Sequence, residues 1–286
     1  MKDYLIRVMT TNKEIRALAV NSTGVVREAQ KAHDTTPVAT AALGRTLNGA
    51  LLMGSMVKTG QETALKIAGD GPLGKIAAEA NHHGEVRGYV QNPKVDFMTS
   101  RQGKLDVAQA IGKGQLVVRK DLGVEEPYEG SVPLVSGEIG EDLTYYFTQS
   151  EQVPSAVGLG VLVDTDLSVK AAGGFIVQLL PEASEETIEQ LEENLAEIES
   201  VSRLIDHGLS PEELLEKILS GFEFRTLAEK EVIYKCKCSK EDTKNLLASL
   251  GKEEIEEIIA EEGKIEIECH FCGEVYQYSK EEVEEI

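Results

Sequence analysis

The chain of 286 residues has no tryptophan, only 5% aromatic residues, 4 cysteines and 5 histidines. With so few rings any core must be aliphatic, and a hydrophobic content of 41% is enough for one substantial core. No stretch approaches the roughly 18 apolar residues of a membrane span, so no membrane role is expected. The N-terminal segment carries Lys2, Asp3, Arg7, Lys13, Glu14 and Arg16 with no uninterrupted apolar run, so it does not read as a signal peptide. Both absences point to a cytoplasmic protein. A G-x-S-x-G elbow and a Ser-His-Asp order are missing too, and the histidines are scattered, so no catalytic residue stands out and no enzyme is expected.

Positive charge is scarce in one part of the chain. Residues 181–286 hold 30 Asp and Glu against 11 Lys and Arg, whereas residues 1–180 hold 20 against 18. Such an acidic field repels phosphate backbones, so nucleic acid is not an expected partner.

What is present is concentrated at the end. Cys236, Cys238, Cys269 and Cys272 stand as C-x-C and, after thirty residues, C-x-x-C. Four thiolates in two close pairs can supply the tetrahedral sulfur set that Zn²⁺ prefers. Gly273 follows where a knuckle turns through positive φ, and Ile265 to Cys269 alternates like a strand feeding that turn. In an extended C-x-C both side chains point the same way, while their Cα atoms sit near the ~6.8 Å limit for a disulfide. A reducing compartment disfavours a structural disulfide framework. Lys235, Lys237 and Lys240 bracket the first pair and either stabilise a dianionic metal centre or are simply solvated. His270 reads as outside the ligand set.

The spacing of apolar and turn residues predicts an α+β chain in three parts: a strand-rich mixed core over 1–180, an amphipathic helical linker over 181–231, and a small cysteine domain over 232–286. Tyr4–Val8 and Ile15–Val20 read as paired strands. Thr35-Thr36-Pro37 opens a long buried helix to about Val57, in which Gly44, Gly49 and Gly54 suggest close approach of another backbone. Gly69-Asp70-Gly71-Pro72-Leu73-Gly74 spells G-x-G-x-x-G, but alternation continues through Lys75–Ala80 and Gln91 and Asn92 stand where an acid belongs, so it reads as a β-turn. His82 and His83 read as a solvated turn tip. Further strands are expected at Leu116–Arg119, Ser131–Ser136, Leu143–Thr148, Gly158–Val163 and Lys170–Leu179.

In the linker, Ser184 caps a helix with Ile188, Leu191, Leu195 and Ile198 on one face. Ser210-Pro211-Glu212-Glu213 is a capping box opening a second helix with Leu214, Leu215, Ile218 and Leu219. Helices this short are folded only while docked. The cysteine domain, with helices expected at Ser239–Leu250 and Glu253–Glu262, is near the size at which cores need a staple. Zinc binding contributes ~10–16 kcal/mol in comparable peptides, so loss of metal is expected to unfold it.

The stretches Ala42–Thr46 (ALGRT), Gly69–Gly74 (GDGPLG), Glu151–Val161 (EQVPSAVGLGV) and Ala171–Phe175 (AAGGF), together with the two cysteine pairs, make the chain resemble the redox-regulated heat-shock protein 33 family, the 33-kDa chaperonins of bacteria. The resemblance spans essentially the whole chain. It implies one zinc ion on Cys236, Cys238, Cys269 and Cys272 in an inactive reduced form, and an ATP-independent holdase that binds unfolded clients under oxidative stress. It implies too that oxidation pairs Cys236 with Cys238 and Cys269 with Cys272, releases zinc, unfolds the cysteine domain and linker, and favours a homodimer. The linker face Ile188, Leu191, Leu195, Ile198, Leu214, Leu215, Ile218 and Leu219 then becomes the candidate client surface. Two other readings compete. A thiol oxidoreductase would use Cys269-His270-Phe271-Cys272 but leaves Cys236 and Cys238 idle, and a constitutive zinc module would merely dock a partner.

Overall fold

The computed structural model describes residues 2–96, 99, 105–124, 126–248, 255, 258–259, 263–279 and 282. Contacts divide the chain into two compact units, Met1–Tyr234 and Lys235–Ile286.

In the first unit β1 (Tyr4–Thr10) and β2 (Ile15–Asn21) form a hairpin, followed by α1 (Thr23–His33) and α2 (Pro37–Gly54). Strands β3 (Glu62–Gly69), β4 (Lys75–Asn81) and β5 (Glu85–Val90) run as an antiparallel meander. Then come α3 (Val107–Ile111), β6 (Gly114–Asp121), β7 (Tyr128–Pro133), α4 (Gly140–Tyr146) with a π-helical extension Phe147–Glu151, β8 (Ser155–Val163) and β9 (Val169–Leu179). Helices α5 (Glu185–Ala196), α6 (Val201–Asp206) and α7 (Pro211–Ile218) lead into β10 (Phe224–Glu231) and the short β11 (Ile233–Tyr234).

Two sheets result, ordered β10-β1-β2-β9-β8 and β11-β5-β4-β3-β6-β7. Helix α2 lies between them. Every one of its residues except Arg45 is buried, and its Leu43, Leu47, Leu51 and Leu52 share one aliphatic cluster with Leu5, Leu18 and Val20 of the first sheet and Leu65, Ile67 and Ile76 of the second. The opposite face of the first sheet, carrying Ile6, Val8, Ile15, Ala17, Ala19 and Val177, is covered by α5 to α7. The order of layers is therefore α5–α7, sheet, α2, sheet. Strands β1 and β2 are buried on both faces.

Four expectations change. Leu143–Thr148 is helix and not strand: Asp142 Oδ1 accepts from the backbone N–H of Val135 at 2.7 Å and Ser136 at 3.0 Å, and Oδ2 from Ile139 at 2.9 Å, which fixes the start of α4. A short run of aromatic and β-branched residues cannot separate a buried helix from a strand by periodicity alone. Residues 181–231 are not wholly helical, because Phe224–Glu231 is an edge strand whose backbone pairs with β1, Tyr4 opposite Glu231. Of the three glycines in α2, only Gly54 faces backbone: a Cβ there would lie 2.9 Å from the Ala80 carbonyl oxygen, whereas at Gly44 and Gly49 it would meet side chains of Val26, Val161 and Leu143. His82 is also no bare turn residue, since Nδ1 lies 2.8 Å from the Val57 carbonyl oxygen. The G-x-G-x-x-G segment is the β3–β4 turn, with Gly74 at φ 65°.

In the second unit α8 (Lys240–Ala248) precedes a two-stranded hairpin of β12 (Ile265–Glu268) and β13 (Val275–Tyr278). The helix expected at Glu253–Glu262 lies mostly outside the described residues, as does the end of the one expected to reach Leu250. Ile255, Ile258 and Ile259 pack with Leu247, Ile265 and Tyr278 as a small cluster.

Candidate metal centre

The two cysteine pairs are held by different local devices. Cys269 and Cys272 sit on the β12–β13 turn, where Cys269 N–H donates to the Glu274 carbonyl (2.9 Å) and Gly273 N–H to the Cys269 carbonyl (2.8 Å), with Gly273 at φ 71°. That conformation suits glycine because a Cβ would clash in the left-handed region. Cys236 and Cys238 lie on the segment entering α8, whose start is fixed by the Ser239 hydroxyl accepting from Asp242 N–H at 3.1 Å. Tyr278 is 1% exposed and donates to the Lys240 carbonyl at 2.7 Å, tying β13 to the first turn of α8.

These devices bring all four sulfurs within 4.8 Å of one another. Cys236 Sγ is 3.7 Å from Cys269 Sγ and Cys238 Sγ is 3.4 Å from Cys272 Sγ. A tetrahedral ion with metal–sulfur bonds near 2.3 Å needs sulfur–sulfur edges of ~3.8 Å, so the donor set fits Zn²⁺ in size and in softness. All four thiols are free, well beyond the ~2.05 Å of a disulfide.

Their protonation is unequal. Burial acts to raise the Cys236 thiol, but hydrogen bonding to the Cys238 backbone and to the neighbouring sulfurs outweighs it and brings Cys236 down to about 7. Burial raises Cys238 and Cys272. Tyr276 was not singled out by sequence, yet its hydroxyl lies 3.3 Å from Cys238 Sγ, a bond that raises the phenol and helps hold sulfur as thiolate. The only trace of it in the sequence is the alternation of V-Y-Q-Y. His270 is exposed. Lys240 pairs with Glu282 at 2.6 Å and lies 5.2 Å from the centre of the Tyr278 ring.

The apolar linker positions converge on the outer face of the β10-β1-β2-β9-β8 sheet. Leu191, Leu214, Leu215, Ile218 and Leu219 are buried there, and Leu195 and Ile198 are half-buried against them. Ile188 is half-buried but stands outside that cluster. Sequence reasoning missed what admits α6: a Cβ on Gly160 would lie 2.6 Å from Ser202 N, and one on Gly173 would lie 2.4 Å from Ile205 Cδ1. The glycines of the GLGV and AAGGF stretches are the floor on which α6 rests.

A protein-family model described as Hsp33 protein matches residues 3–279. The chain is 51% identical over 284 residues to the 33 kDa chaperonin of Bacillus mycoides, covering 99% of this chain and 98% of that protein. It is 50% identical to the 33 kDa chaperonin of Geobacillus kaustophilus, covering 100% and 98%. The crystal structure of the 33 kDa chaperonin, a heat shock protein 33 homologue, from Thermotoga maritima superposes with a TM-score of 0.94 at 40% identity, covering 100% of this chain and 97% of that one. Among the described residues no helix is long and apolar enough to cross a membrane.

Proposed function

The chain belongs to the Hsp33 protein family, and from that premise we propose that it is a redox-regulated, ATP-independent holdase of the cytoplasm that keeps unfolding proteins from aggregating under oxidative stress. In the reduced form Cys236, Cys238, Cys269 and Cys272 hold one Zn²⁺, which when bound cross-links the C-x-C segment to the β12–β13 turn. Oxidation joins Cys236 to Cys238 and Cys269 to Cys272. Each disulfide removes two electrons and two protons from a thiol pair, and one hydrogen peroxide is reduced to two waters. Disulfide sulfur is a poor ligand, so the metal leaves and the unit that depended on it unfolds.

The supporting observation for the switch is the burial of the linker's apolar positions on sheet β10-β1-β2-β9-β8. Fully burying one Leu or Ile is worth roughly 1.5–3 kcal/mol, so undocking 181–231 uncovers a large apolar surface on the helices and on the sheet beneath them. Unfolded clients bind there, and the oxidised form pairs as a homodimer. The acidic exposed faces of α5 and α7 keep it soluble.

Treating the reduced protein with peroxide under mildly unfolding conditions tests the proposal. Zinc release, the two near-neighbour disulfides and suppression of aggregation of a heat-unfolded client are expected to rise together. Aggregation suppression with the metal still bound would overturn the switch, and catalytic turnover of a disulfide substrate would favour an oxidoreductase instead.

A further inference from the structure

Four strands form the edges of the two sheets of the first unit, and three of them are blunted. Strand β10 carries Arg225, Glu229, Lys230 and Glu231, β7 carries Glu129 and ends on Pro133, and β11 is two residues long. Charge, proline and shortness are the usual protections of an edge against another chain. Strand β8 has none of them, since Ser155–Val163 runs for nine residues without a charge or a proline. Its pairing with β9 settles which backbone groups are spare. Leu179 N–H reaches the Pro154 carbonyl, so the odd-numbered residues of β9 bond towards β8, where their partners are Ala156, Gly158, Gly160 and Leu162. Val157, Leu159 and Val161 therefore point their N–H and C=O groups away from β9. Thr144 Oγ1 accepts the Val157 N–H at 3.1 Å. Among the described residues no acceptor outside β9 takes the N–H of Leu159 or Val161.

This edge opens into a cleft of about 1090 Å³. Ala41 and Arg45 of α2 line one wall, Ser202 and Arg203 of α6 line the other, and Leu159, Leu162 and Val163 line the strand between them. Leu159 and Val163 pack towards the α2 cluster and Leu162 towards the cluster beneath α5 to α7, so the edge is sunk between its walls. The β8 strand of a second copy, flanked by the same walls, cannot reach it. Other folded partners have their strands already paired. An unfolded chain has its main chain free and enters as a single extended strand. From Leu159 to Val163 the edge offers about 16 Å, at ~3.3 Å per residue, for such a chain.

We propose that the outer edge of β8, from Leu159 to Val163, binds an extended apolar segment of an unfolded client as an added strand. Main-chain hydrogen bonds supply the attachment, and the segment's apolar side chains rest in the cleft. Every polypeptide presents the same main chain, so this mode takes clients of unrelated sequence. The inference rests on the holdase reading above and names a contact for it. Undocking of the linker removes the α6 wall and widens the cleft, so the oxidised form binds more tightly than the reduced one.

Full-length oxidised protein is titrated by fluorescence anisotropy with a labelled peptide of alternating valine and threonine, and with the same peptide N-methylated at successive central residues. The parent is expected to bind the first and to bind the second roughly tenfold more weakly or worse, because methylation removes main-chain donors. Val161→Pro deletes an outward N–H while leaving the bonds to β9 in place, and Val163→Lys adds the charge this edge lacks. Each is expected to weaken the unmethylated peptide by a similar factor, with amide protection in β9 unchanged. Should one variant lose that protection the other decides, and should both lose it the two peptides decide on the parent alone. Equal affinity for the two peptides, or parental affinity in a protected variant, overturns the proposal. So does a parent that suppresses aggregation of a heat-unfolded client but ignores the peptide, an outcome that leaves the holdase reading standing with clients bound elsewhere. A parent that suppresses no aggregation fails the holdase reading itself, whatever the peptide does. Variants that cease to dimerise yet bind the peptide as the parent does assign the edge to a second copy and also overturn the proposal.

Discussion

Tyr276 shows how a single hydroxyl extends the four-sulfur centre. Its bond to Cys238 Sγ stabilises the charged form of the sulfur that a soft cation requires. Partners of this kind typically change metal affinity by roughly 10–100-fold, so Tyr276→Phe is expected to weaken zinc binding within that range while leaving the stoichiometry at one. Competition with a chromophoric chelator measures this, and an unchanged affinity would show that the hydroxyl is only a packing contact. Gly54 makes a different point about single residues. Alanine would gain about 1 kcal/mol of helix propensity, but its Cβ would lie 2.9 Å from both the Cβ and the carbonyl oxygen of Ala80, an overpacking of a kind that costs about 1–3 kcal/mol. Packing outweighs propensity there, and glycine stays.

Among elements, α5 and α7 were legible because their caps and their faces agree. Ser184 accepts from Thr187 N–H at 3.3 Å, Ser210 and Glu213 exchange hydrogen bonds at 3.2 and 2.8 Å, and the apolar positions fall on the side that is buried. Helix α6 depends on something outside itself, the close approach permitted at Gly160. Gly160→Ala would set a methyl 2.6 Å from Ser202 N and lift that helix. The reduced variant is therefore expected to bind a hydrophobic dye, and to suppress client aggregation, at lower oxidant exposure than the parent. Dye fluorescence and light scattering check this, and parental behaviour in both would show that α6 docking does not hold the linker closed. Strand β10 was not legible. Its sequence FRTLAEKE is half exposed, and what makes it a strand is the backbone of β1, over two hundred residues away.

At the scale of the molecule, the two units differ in what holds them together. The first has two aliphatic clusters on either side of a sheet. The second has four buried hydrophobic side chains among the described residues, Leu247, Ile255, Ile265 and Tyr278, worth roughly 1.5–3 kcal/mol each. The ~10–16 kcal/mol of a structural zinc site is as large as that whole core. Removing metal with a chelator under reducing conditions is expected to abolish amide protection in α8, β12 and β13 while α2 and β3 to β6 keep theirs. Hydrogen exchange read by mass spectrometry tests this, and retained protection in β12 and β13 would mean that the hairpin folds without an ion.

The sequence by itself determined the α+β character, the long helix after Thr36, the capped helices, and the cysteine spacing that allows a four-sulfur centre. Each is a local matter, set by caps, turn residues and periodicity within a few residues. Only the tertiary structure decided that 143–148 is helical, that β10 joins the sheet, and that Gly160 and Gly173 floor α6. Those outcomes depend on hydrogen bonds and contacts between segments far apart in the chain. A strand's partner, or a glycine's neighbour, has no signature at the residue that needs it.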